Sequence, residues 1–178
     1  MRNRGVAEMA QSHQNRIHAS VSAFQSASEQ LIAALERLND DVATRAPQAG
    51  GWNAAQIGYH VATTNEFLSG MLSGAVPTAV PAPVGFAENP GVFNNIPSKI
   101  ETFPQLQPPP SVTRAEAIEK LRRSTSSTVQ AIESLSAERA GGYCVQFSIG
   151  QLSMYQVADF IGGHVVRHQK QLERAAQG

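Results

Sequence analysis

Residues 152–172 read LSMYQVADFIGGHVVRHQKQL. Ser153 followed three residues later by Gln156 is a capping-box pattern, so a helix opens at about residue 154. From there Val157, Ile161, His164, His168 and Leu172 recur at spacings of three and four, the stripe by which an amphipathic helix faces a core. Two of these five positions are histidines, where the period demands a core side chain. Residues four apart on an α-helix sit about 40° apart around the axis and one turn apart along it, so both imidazoles can reach one point. That is the geometry of H-x-x-x-H metal sites on helices. Two neutral rings in a core also carry four nitrogens that all need partners, and a metal would satisfy one on each ring.

A third histidine lies on another helix. After Gly50 and Gly51, Asn53 and Gln56 form a second capping box, and the apolar stripe Ile57, Val61, Thr64, Phe67 or Leu68, and Met71 follows. His60 adjoins Val61 and shares its face with Ile57 and Thr64, so it turns inward too. Trp52, just before the cap, is placed to pack back on the first turn. The trio His60, His164 and His168 is a convergent set, read either as a metal site or as a hydrogen-bonded polar cluster in the core. The other two histidines, His13 and His18, fall at the start of the first helix and read as surface positions, with His18 able to approach the pocket.

Two further stripes complete the pattern. Ile17, Val21, Phe24, Leu31, Leu35 and Leu38 line the first helix, with Ser28 as the polar member; Asn39, Asp40 and Asp41 stop it. Thr113 and Glu116 cap the third, whose stripe is Ile118, Leu121, Thr125, Val129, Ile132 and Leu135. The periodicity therefore predicts an all-α four-helix bundle in one domain spanning 1–178, with helices over about 13–38, 54–73, 114–136 and 154–175. Tyr143–Phe147 alternates weakly and reads as extended. Nine of the ten prolines lie within residues 74–112, which marks that stretch as a loop. It is long enough to cross a bundle end to end, so the second and third helices can run parallel, where a short loop would force them antiparallel.

Composition narrows the function. Fourteen acidic and fourteen basic residues cancel, which argues against nucleic acid as a partner, since each neutralised phosphate needs a cation. No apolar run is long enough to span a bilayer, and the first residues lack the apolar core of a secretory signal. The single cysteine, Cys144, cannot form an internal disulfide and reads as a buried, inert thiol. These features predict a cytoplasmic protein with no nucleic-acid partner.

The stretch GWNAAQIGYHV at 51–61 resembles the second-helix motif of the DinB/YfiT-like proteins, in which a Trp and a cap residue precede an inward His. The stretch from Leu152 to His168 is similar to the last helix of that family, with its H-x-x-x-H. The likeness covers the whole chain in order and spacing. It implies an up-down-down-up four-helix bundle with a divalent transition metal such as nickel, zinc or iron near one end, held by His60, His164 and His168. It also implies a homodimer, and either thiol transfer using a low-molecular-weight thiol or metal-dependent hydrolysis. The proline-rich crossover is longer than the family pattern.

Three neutral imidazoles leave an ion its full charge and at least one open position, as catalytic rather than structural sites do. A zinc ion so held can lower the pKa of its water to about 7, or acidify a thiol in the same place. Gln56 and Thr64, one turn either side of His60, are candidate pocket groups; a cap and a tolerated core hydroxyl are their plainer roles. No inward carboxylate offers itself as a base, since Asp159 and Glu66 fall off the faces of His164 and His60. The competing expectation is a non-catalytic metal- or ligand-binding bundle linked to stress.

Overall fold

The computed structural model describes residues 2–48, 50–96 and 102–177, so residues 97–101 of the crossover lie outside the described residues. Among these, four long helices dominate: α1 (Arg2–Glu36), α3 (Ala54–Ser73), α4 (Arg114–Glu133) and α6 (Met154–Gln177), with short helices α2 (Asp40–Thr44) and α5 (Ala137–Gly142) between them. α1 and α3 each pack against both α4 and α6. All three capping boxes form: Asn53 with Gln56, Thr113 with Glu116 and Ser153 with Gln156. They place the helix starts at 54, 114 and 154, as the sequence predicts.

The stripes of α1, α3 and α6 are buried apart from Leu38, which lies past the end of α1, and His164, both half-buried; Phe24, Leu31, Leu35, Ile57, Val61, Ile161 and Leu172 are fully enclosed. On α4 the buried line sits to one side of the expected one. Ala117, Leu121, Ser124, Thr128 and Ile132 are buried, whereas Ile118, Thr125 and Val129 are only half-buried. Small and hydroxyl residues on that face let α4 approach α3 closely. A Cβ on Gly58 of α3 would stand 3.2 Å from Leu121 and 3.1 Å from Leu35. The Ser69 and Thr128 hydroxyls satisfy one another at 2.8 Å across the same seam.

Three features depart from the sequence reading. α1 begins at Arg2, not near residue 13, so its first turns carry no apolar stripe. The crossover is not structureless: it contains the strand β1 (Val80–Pro81) and two 3₁₀ turns, Val92–Asn95 and Pro104–Leu106. β1 joins β2 (Tyr143–Phe147) and β3 (Gly150–Ser153) in an antiparallel sheet ordered β1-β2-β3, which runs straight into α6. The extended reading of Tyr143–Phe147 was right, but its partners were not visible. Cys144 is fully buried on β2.

Two points of the crossover, its middle and its end, are tied to helix starts by one device. Gln56 and Gln156 use Oε1 for their capping boxes and Nε2 for the loop. Gln56 donates to the carbonyls of Pro109 and Pro110 at 3.0 and 3.1 Å, and Gln156 donates to that of Asn89 at 2.9 Å. Glu88 adds an ion pair with Arg16 at 2.8 Å and accepts from the Ser153 hydroxyl. Arg139 caps the other end of α3, donating to the carbonyls of Leu72 and Met71 at 2.6 and 2.8 Å.

Candidate metal centre

His60 on α3 and His164 and His168 on α6 come together as the sequence indicated. Their ring centroids lie 5.4, 4.8 and 4.3 Å apart for the pairs 60–164, 60–168 and 164–168. One potential ligand atom from each falls within 4.8 Å of the others, so the three could hold a metal ion. Bonds of about 2.0–2.1 Å to a tetrahedral ion would put ligand nitrogens closer together than that. His60 and His168 are buried, at 4% and 9% exposure, while His164 is half-buried.

The outward nitrogens show which face of each ring is free. His60 Nδ1 lies 2.8 Å from the carbonyl oxygen of Leu106, which can only accept, so the ring donates there and Nε2 keeps its lone pair. His168 Nδ1 lies 2.7 Å from Gln171 Oε1 and is fixed in the same sense. Such partners orient metal-ligating imidazoles and set their tautomer. His164 Nδ1 is buried with no partner among the described residues. A buried orphan nitrogen beside two oriented rings is what a hydrogen-bonded core cluster avoids and what a ligand set leaves open.

Electrostatics hold the three neutral. Burial lowers the pKa of His60, against a smaller raising effect of its bond to Leu106. Burial, then the charges of His60 and Arg167, lower His168 to about 4, against the bond to Gln171. His164 falls well below the ordinary histidine range through burial and the neighbouring His168, His60 and Arg167. Neutral imidazole is the form that binds a metal.

The surroundings divide into a closed and an open side. The Trp52 ring lies 4.7 Å from that of His60. Phe160 stands 6.2 Å from His164 and meets Phe147 and Phe93 at 5.6 and 6.1 Å, forming an aromatic wall. On the other side His168 lines an open cleft of about 740 Å³ with Trp52, Thr102 and the last turns of α6.

The remaining candidates take plainer places. Gln56 is both cap and loop anchor, its amide fully engaged. Thr64 is buried with its hydroxyl unpartnered among the described residues. Asp159 accepts from Ser20 at 2.5 Å and Glu66 pairs with Lys120 at 2.6 Å, so both carboxylates are occupied elsewhere. His13 bonds the Tyr155 hydroxyl at 2.7 Å, and His18 is exposed; the two line a separate hollow of about 350 Å³. The sequence reading missed Leu106 and Gln171. A backbone carbonyl leaves no trace in residue type, but a Gln three residues after His168 on one helix was a usable signal.

No curated protein and no solved structure matches the chain. The sequence pattern of the DinB superfamily matches residues 23–172, a span that starts within α1 and ends at Leu172, past both histidines of α6. On that match, and with a helical fold that brings His60, His164 and His168 together, the chain belongs to the DinB superfamily.

Proposed function

We propose that the protein is a metal-dependent enzyme acting on a small molecule, a thiol-dependent transferase or a hydrolase. The observation that carries this reading is the convergence of three neutral imidazoles, two with oriented Nε2 lone pairs, beside an open cleft. When bound, a divalent ion such as nickel, zinc or iron would supply Lewis acidity, enough to acidify a water or a low-molecular-weight thiol near neutral pH. The ligand set would be His60, His164 and His168. Leu106 and Gln171 hold two of the rings in register, and Phe160 stands against His164 on one flank. A substrate enters from the side of Trp52 and His168.

The packing of α1 and α3 against α4 and α6 supports the up-down-down-up four-helix bundle. A homodimer is part of the same proposal, and the mass of the particle in solution tests it. The equal charges and the absence of any helix long and apolar enough to cross a membrane, among the described residues, fit a cytoplasmic enzyme with no nucleic-acid partner.

The engagement of Asp159 and Glu66 away from the histidines favours one other reading, a bundle that binds metal or ligand without turnover. A screen of low-molecular-weight thiols with electrophiles, and of hydrolysable esters and amides, separates the two. Turnover by the metal-loaded protein that disappears in His60→Ala supports the enzyme. Tight metal binding with no turnover across the screen supports the binding protein.

A further inference from the structure

A second group of buried polar residues lies in the core, apart from the histidines. Ser28 of α1, Asn65 and Ser69 of α3, and Ser124 and Thr128 of α4 are all buried, with Ser28 and Asn65 at 1% and 0% exposure. Contacts at Gly58 fix how two of them stand to one another. A Cβ there would meet Leu35 near the end of α1, so the end of α1 lies at the start of α3. Both helices pack along α4 and α6, and from that meeting point they lead the same way in space with opposite chain directions. Seven residues make two turns less about 20°, and advance about 10 Å on one face. Seven back from Leu35 is Ser28, and seven on from Gly58 is Asn65, so the two stand at about one level on facing sides.

A hydroxyl within a helix has a partner to hand in the carbonyl three or four residues back. Ser69, Ser124, Thr63 and Thr125 use it, donating to Asn65, Leu121, Tyr59 and Leu121. Ser69 and Thr128 also satisfy one another. Ser28 does neither. Its Oγ, and both Nδ2 and Oδ1 of Asn65, have no partner among the described residues. Buried amides and hydroxyls are normally bonded, because leaving them unpaired forfeits their hydration with nothing in return. Two facing residues that carry donors and acceptors and do not bond each other are a place for a bridging water, which needs two to four polar partners.

We infer that the bundle binds internal water between Ser28 and Asn65. One water accepts from Asn65 Nδ2 and donates to Ser28 Oγ, and Asn65 Oδ1 accepts from a second. Water held this way belongs to the packed core and joins α1 to α3 across it. No histidine takes part, so the inference stands or falls apart from the metal reading.

A crystal structure of the full chain, at a resolution that shows ordered water, tests it directly. Water density is expected within hydrogen-bond distance of both Ser28 Oγ and the Asn65 amide. Ordered side chains with no density between them overturn the inference, and so does an Asn65 amide bonded to protein groups alone. Thermal unfolding gives a second readout. Ser28→Ala takes one partner from the water, and its midpoint should fall about 2–4 °C below that of Ser22→Ala. Ser22 is an exposed serine of the same helix, so its replacement carries the same gain in helix propensity. If the Ser28 hydroxyl bonds nothing, removing it relieves an unpaired group, and a Ser28→Ala midpoint level with or above that of Ser22→Ala overturns the inference.

Discussion

Two polar clusters meet on α6 and are built on opposite rules. Around Asp159 every charge has a partner: Arg16 pairs with Glu88 at 2.8 Å and lies 3.8 Å from Asp159, Ser20 donates to Asp159, and the guanidinium sits 4.1 Å over the Tyr155 ring. Little more than a turn further on, three imidazoles converge with no counter-charge, and His164 Nδ1 has no partner among the described residues. The first cluster closes on itself and fastens α1, α6 and the crossover together. The second is held from outside by Leu106 and Gln171 and is left open within. Interior polar groups that serve only structure are normally satisfied by one another, and the incompletely satisfied cluster is the one that could hold a metal ion.

The largest difference between the clusters lies in metal affinity. His60→Ala should weaken nickel or zinc binding by more than the roughly 10–100-fold typical of losing a group that merely orients a ligand. Asp159→Asn should leave it unchanged while lowering stability by no more than about 1 kcal/mol, the range of exposed ion pairs. Competition against a chromophoric chelator measures the first, and chemical denaturation the second. Equal metal affinity in both variants would erase the distinction.

Gln56 and Gln156 allow a sharper cut, because they do the same structural work at two separate points of the crossover. Replacing either with Leu removes half a capping box and a bond to a loop carbonyl, at about 1–2 kcal/mol. Only Gln56→Leu loosens the segment that carries Leu106, so only it should also weaken metal binding, by roughly tenfold. If Gln156→Leu weakens metal binding as much, the loop acts as one unit and the placement of Leu106 is not a local device.

The smallest effect is in pH. In the metal-free protein the three histidines resist protonation, while in the unfolded chain they titrate near the ordinary value of about 6.5. Stability present above that pH is therefore lost as protons bind the unfolded state first, over a window from about 6.5 down to about 4, where His168 itself protonates. The thermal midpoint of metal-free protein should fall between pH 7 and pH 5, and fall less in His168→Ala. A midpoint that changes equally in the two proteins would mean that His168 does not stay neutral in the fold.

The sequence disclosed the elements that repeat a pattern. Capping boxes fixed three helix starts to the residue, because the side chains that terminate a helix are chosen for that one job. His164 and His168 were legible because they interrupt an apolar stripe. The sheet was hidden: β1 has two residues and lies among prolines, and its pairing with Cys144 and Tyr143 spans more than sixty positions. α4 was misread by one position because Ser124 and Thr128, which face the seam with α3, are polar, while the apolar Ile118 and Val129 flank it. The role of the crossover could not be read at all, since Leu106 contributes a carbonyl that any residue could offer.

Elemental analysis of the purified protein beside His168→Ala tests the central claim most directly. The account predicts about one divalent transition metal per chain, lost in the variant. A protein that carries no metal and takes up none when nickel, zinc or iron is added would contradict it.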